Sequence, residues 1–258
     1  MSDLKRWCGN SPSPGDLSVF MGLDVTGESV SIDLGAAPHM LLGGATGMGK
    51  SVCLHSVILS LLLRHKSDDV QLALVDPKQV EFSPYSDIDF LFGDEVVSEA
   101  TVALKLFQGL VAEMDARYAT LKALGVSTIG AARSAGAQLP YIVVIVEEFA
   151  DLVLQNKQIE PLVIRLAQKA RASGIHLVLA TQRPDAKTFS GLIRSNIPTR
   201  IALTVQKEAE SRIILDEGGA ESLTGAGDML IKLPGRSLLR AHGPLITLDD
   251  VKAVVQAI

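Results

Sequence analysis

Aromatic residues make up only 4% of the 258-residue chain, and cysteine occurs twice. With so few rings, a core must come from Val, Ile, Leu and Ala, which fits the 47% hydrophobic content and suits a buried parallel sheet between helices. Cys8 and Cys53 form no CxxC pair, and no Cys/His cluster accompanies them, which argues against a zinc site. Cys53 falls in an apolar helical stretch and reads as a small core residue. The longest apolar run, residues 52–63, is broken by His55 and Ser60 and is too short to span a bilayer. No signal-peptide pattern is present, so a soluble, cytoplasmic location is expected. Basic excess is missing too: the formal charge is −5. A protein coated with positive charge for nucleic acid is excluded, and any such surface has to be local.

What is present is alternation. Residues 1–16, with Trp7, Pro12, Pro14 and Gly15, read as a flexible leader. Short β-prone pieces broken by Gly22 and Gly27 suggest a β appendage over 17–37, and an α/β core follows over 38–258. Apolar runs at 39–42, 70–75, 141–146, 175–180 and 199–205 read as strands. Helical patterns occupy 51–65, 98–124 and 159–173, the second with apolar residues at 102, 106, 110, 114, 121 and 124. The tail adds strands at 228–233 and 238–246 and a short helix from Leu248. Alternating strands and long crossovers predict a mainly parallel, doubly wound sheet.

The segment Gly44-Ala45-Thr46-Gly47-Met48-Gly49-Lys50-Ser51 fits G-x-x-x-x-G-K-[ST] and sits between an apolar strand and an apolar helix. Its glycines let successive N–H groups turn toward phosphate oxygens. Lys50 supplies a cation near the β and γ phosphates, the Ser51 hydroxyl can ligate Mg²⁺, and the helix N-terminus, through Val52, faces the same anion. ATP with Mg²⁺ is the expected ligand.

The run 141–146 ends in Glu147-Glu148, carboxylates at the strand end where open α/β sheets bind ligands. One can hold Mg²⁺ through its water shell while the other polarises an attacking water. A further strand stops at Thr181-Gln182, and a Gln there can touch the γ-phosphate or the attacking water.

Several stretches together resemble the motor domain of the FtsK/SpoIIIE family. They include residues 38–42, Asp76-Pro77-Lys78, residues 146–152, residues 166–177 and Ala180-Thr181-Gln182-Arg183-Pro184, then residues 196–202, 219–223, Gly227-Asp228-Met229-Leu230 and Arg240-Ala241-His242-Gly243. The resemblance runs from about residue 17 to the end. It implies a RecA-like P-loop core, a homohexameric ring, ATP hydrolysis at subunit interfaces, and movement of double-stranded DNA through the pore. By the same likeness, Lys50 and Ser51 are the Walker A pair, Glu147 holds the metal, Glu148 is the catalytic carboxylate and Gln182 the γ-phosphate sensor. Arg171 is implied as the finger reaching a neighbour's site, with Arg200 as runner-up. The family's usual residue at 147 is Asp, so Glu147 is a departure.

A DNA-tracking pore needs local positive charge. Two segments are candidates: the loop 125–139, through Arg133, and the loop 183–194, through Lys187 and Arg194. Without base-reading helices, binding is expected to ignore sequence. No long apolar region precedes the motor and no DNA-reading domain follows, so an isolated motor is expected, from DNA transfer, phage or genomic-island defence, or restriction as much as from chromosome segregation. The rival readings are a type VII secretion-like protein-export ATPase and a non-hydrolysing ring subunit.

Overall fold

A computed structural model describes residues 1–9 and 17–258. In chain order the elements are α1 (Ser2–Cys8), β1 (Ser18–Asp24), β2 (Ser29–Asp33), β3 (His39–Gly43), α2 (Lys50–Arg64), β4 (Val70–Val75), α3 (Ala100–Ala123), α4 (Ile129–Ser134) and β5 (Tyr141–Val146). There follow α5 (Phe149–Gln155), α6 (Ile159–Lys169), β6 (Ile175–Thr181), α7 (Gly191–Asn196), β7 (Thr199–Leu203), α8 (Glu208–Leu215), β8 (Asp228–Lys232), β9 (Leu239–His242) and α9 (Leu248–Val255).

The strands form one sheet in the order β2-β1-β9-β8-β7-β3-β6-β5-β4. From β7 to β4 all neighbours are parallel. From β7 to β2 all are antiparallel. The parallel strands bury both faces, which is why they read as predominantly apolar runs. In β5, Val143 and Ile145 face a core shared with α2, while Ile142, Val144 and Val146 face one shared with α3, α5 and α6.

Three expectations change. Residues 1–9 do not hang loose: α1 buries Leu4, and Trp7 packs 5.6 Å from Phe20 with the Arg64 guanidinium 4.4 Å over its ring. Residues 10–16 lie outside the described part. The expected β appendage is a hairpin, yet β1 also pairs with β9, so it extends the main sheet rather than standing apart. The long helix buries Ala103, Phe107, Leu110, Val111 and Met114 and exposes Leu124. Of the predicted stripe, Leu110, Met114 and Leu121 are buried, while Val102 and Leu106 are only half-buried beside Ala103 and Phe107, and Leu124 lies past the helix end.

Candidate active site

In a parallel sheet every strand delivers its C-terminal end to the same edge. Here that edge collects the loop after β3, residues 76–82 after β4, Glu147-Glu148 after β5, and Thr181-Gln182 after β6. The loop from Gly44 to Gly49 is tied to its neighbours by Gly44 N–H donating to Thr181 O at 3.3 Å and Ala45 N–H to Thr204 O at 2.8 Å. Gly49, the N-cap of α2, has φ +103°, and a Cβ there would lie 3.0 Å from Gly227 N. Only glycine fits so close to backbone in that conformation.

Below the loop sits a bracket that sequence reasoning did not find. Gly227 N–H donates to Met48 O at 3.1 Å. The turn carrying Gly227 is held by Asp228, which accepts from Thr224 N and Oγ1 and from Arg240 Nε and Nη2 at 2.7–3.0 Å. The Arg240 hydrogen bond, more than any other contact, holds the Asp228 carboxyl down to about 2. A cavity of about 430 Å³ opens beside Gly47, Gly49 and Val52, walled by Phe20, Leu23, Met229 and Pro244. It offers apolar surface next to the phosphate loop, where the flat base of a nucleotide would lie.

Lys50 is buried, and its Nζ donates to both the carbonyl oxygen and Oε1 of Glu147, each at 2.5 Å. The longer carboxylate at 147 thus reaches back to the lysine. Its other oxygen, Oε2, is buried with no hydrogen-bond partner among the described residues. Glu148 is also buried. It accepts from Thr181 Oγ1 at 2.5 Å and from Gln182 N–H at 2.9 Å, while Lys78 Nζ stands 3.9 Å from its Oε2. The Gln182 side-chain oxygen accepts from Thr46 Oγ1 at 2.6 Å. Lys50, Glu147, Glu148 and Gln182 therefore meet around one loop, with Ser51 in the first turn of α2.

The remaining predicted residues lie elsewhere. Arg171 is exposed in the turn before β6, at the opposite edge of the sheet; its carbonyl accepts from Gly174 N–H, and its side chain makes no hydrogen bond or ion pair among the described residues. At about 3.3 Å per residue, the length of β6 keeps it away from its own phosphate loop. Arg200 is buried and spent internally on Asp216, Ile197 O and Arg194 O. The segment 125–139 is not a plain loop, because α4 lies within it. Arg133 of α4 is bound to Asp69 and Leu139 O beside the Tyr141 ring, also at the far edge. Arg194 is held by Phe189 O and Asp216, whereas Lys187 is exposed and its side chain has no partner among the described residues.

A sequence model described as the FtsK/SpoIIIE family matches residues 10–138 and 124–186. The chain is 45% identical over 269 residues to the DNA translocase FtsK of Haemophilus influenzae, covering 93% of this chain and 51% of that protein. It is 44% identical over 276 residues to the DNA translocase FtsK of Vibrio vulnificus, covering 95% and 28%. It therefore spans between about a quarter and a half of these relatives. Among solved structures, the pCW3 conjugation coupling protein TcpA with ATPγS superposes with a TM-score of 0.77 at 28% identity, over 95% of this chain and 71% of that one. The cytoplasmic domain of the Thermomonospora curvata type VII secretion ATPase EccC superposes at 0.83 with 24% identity, over 96% and 32%. That second likeness speaks for the fold, which is that of P-loop ATPases.

Proposed function

Since the chain belongs to the FtsK/SpoIIIE family, we propose that it is an ATP-hydrolysing motor subunit that moves double-stranded DNA through a homohexameric ring. The observation that carries the reading is the convergence of Lys50, Glu147, Glu148 and Gln182 on one glycine loop at the C-terminal edge of the parallel strands. In it Lys50 and the loop N–H groups bind the phosphates, and the cavity beside Val52 takes the base. Glu148 polarises the attacking water, and Gln182 reports on the γ-phosphate. The buried Oε2 of Glu147, without a partner among the described residues, and the Ser51 hydroxyl suit a Mg²⁺ site, and that ion would supply charge neutralisation between phosphates when bound.

DNA as the cargo is supported by the relatives at 44–45% identity, both of which carry the name DNA translocase. The contacts are expected to be to phosphates and blind to sequence. Among the described residues, Lys187 is the one of the three predicted cations whose side chain has no partner within the fold. Duplex DNA of any sequence should stimulate ATP hydrolysis, less so as salt rises, because phosphate contacts release counterions. Lys187→Glu should weaken the stimulation and leave basal hydrolysis intact. Assembled protein that hydrolyses ATP but ignores duplex DNA at every salt concentration overturns the DNA reading in favour of a polypeptide cargo.

A further inference from the structure

The loop after β4 is built with unusual care for a surface connection. Asp76 is fully buried, and its carboxylate accepts from Lys78 N at 3.2 Å, Glu81 N at 2.9 Å and Phe82 N at 3.0 Å. Asp76 N–H donates to Val97 O. Gln79 adopts the left-handed conformation with φ 56°, and its amide donates to Ser98 Oγ at 3.0 Å. The backbone on both sides of Lys78 is thereby fixed, and the lysine reaches the strand edge where the two carboxylates sit. Its Nζ lies 3.5 Å from Asp151 Oδ2, in the first turn of α5, and 3.9 Å from Glu148 Oε2.

We propose that Lys78, held by Asp151, is a positioning residue for Glu148. The inference rests on the reading of Glu148 as the carboxylate that polarises water. Two adjacent buried carboxylates repel each other. Among the described residues each has its own cation: Lys50 for Glu147, and Lys78 for Glu148. Thr181 and Gln182 anchor Glu148 from β6. Lys78 adds a hold from the β4 loop and ties the carboxylate to α5 through Asp151. The Lys78 side chain is 45% exposed and 3.9 Å from Glu148, which keeps its hydrogen bonds from Thr181 and Gln182, so removing the lysine should cost far less stability than loss of the buried Lys50. The loss should appear in the chemical step, where a misplacement of about an ångström costs as much as a hundredfold.

The test is steady-state ATP hydrolysis by the assembled protein, with melting temperature as a control. Lys78→Met should lower kcat about tenfold with KM for ATP and melting temperature unchanged. Lys78→Arg should recover most of the rate, because it keeps the cation. Asp151→Asn should lower kcat in the same direction by less. Wild-type kcat in Lys78→Met, a loss confined to KM, or an arginine variant no better than methionine overturns the inference. Full turnover in Glu148→Gln overturns it together with the assignment of Glu148, whereas an inactive Glu148→Gln beside an unimpaired Lys78→Met overturns this inference alone.

Discussion

Lys50 and Glu147 form one buried unit, with the ammonium donating at 2.5 Å to both the backbone oxygen and the carboxylate of the same residue. Both side chains are almost wholly excluded from solvent, at 3% and 1% exposure. Lys50→Ala should therefore do two things. It should abolish ATP binding in calorimetry, because the only side-chain cation of the loop is gone. It should also destabilise the nucleotide-free protein by about 3–5 kcal/mol in denaturant titrations, since Glu147 is left as an uncompensated buried charge. Lys50→Ala/Glu147→Gln should regain part of that stability without regaining ATP. Equal ATP affinity in wild type and Lys50→Ala would sink the site.

Glu148→Gln is expected to keep ATP affinity and lose turnover by on the order of 10²–10⁴, the usual worth of a positioned acid or base. The fold around it should survive, because a single side-chain oxygen in the place of Oε1 can still accept from Thr181 Oγ1 and Gln182 N–H, as Oε1 does now at 2.5 and 3.2 Å. Binding by calorimetry and phosphate release by a coupled assay separate the two quantities.

Arg171 stands at the edge of the sheet opposite the loop that binds phosphate, so any role it plays in hydrolysis must be played on another subunit. Arg171→Ala should bind ATP normally and hydrolyse poorly. Mixed with Lys50→Ala, it should recover activity, because some interfaces then combine an intact Lys50 with a neighbour's intact Arg171. Mixtures shown to co-assemble that stay inactive exclude the shared site. Arg200→Ala should instead lower the melting temperature, since its guanidinium binds Asp216 and three backbone oxygens.

Three histidines set an acid dependence of stability. Burial pushes His39 down to about 3, and His55 and His176 to about 4, from an ordinary 6.5. In the window from about 6.5 down to about 4 the unfolded chain binds protons that the folded protein refuses. Stability should thus be full above that window and fall steadily as pH drops through it. Urea midpoints at pH 7.5, 6 and 5 will show the slope. His176→Asn, which removes one of the three sites, should make it shallower even though the variant starts less stable.

Much of this was legible in the sequence. The five parallel strands were visible because their faces are buried, so most appear as short, predominantly apolar runs, cleanest in residues 141–146, while 199–205 alternates more. The phosphate loop and the carboxylates were visible because the chemistry demands particular residues at fixed spacing. What escaped notice depends on partners distant in sequence. Asp228 holds the turn under the loop only because Arg240 lies on the adjacent strand. Lys78 meets Glu148 only because β4 and β5 are neighbours. The helix α1 was missed because seven residues give too short a period to recognise, and its support is tertiary, through Leu4 and Trp7. That Asp69 holds Arg133 and Asp216 holds Arg194 could not be read from the sequence, because charge does not reveal whether an acid already pairs with it.

The pairing of β1 with β9, Leu23 opposite His242, has a consequence for the order in which the protein can be made. The hairpin of β1 and β2 leaves the ribosome well before β9, the strand it docks against. A two-stranded hairpin is at best marginally stable in water, and joining strands so far apart in sequence is slow because a long loop must first be closed. The parallel strands β3 to β7 can assemble while synthesis continues, leaving an open sheet edge at β7 until β8 arrives. During that interval the exposed edge is the part of the nascent molecule most open to pairing with another copy or to capture by a chaperone.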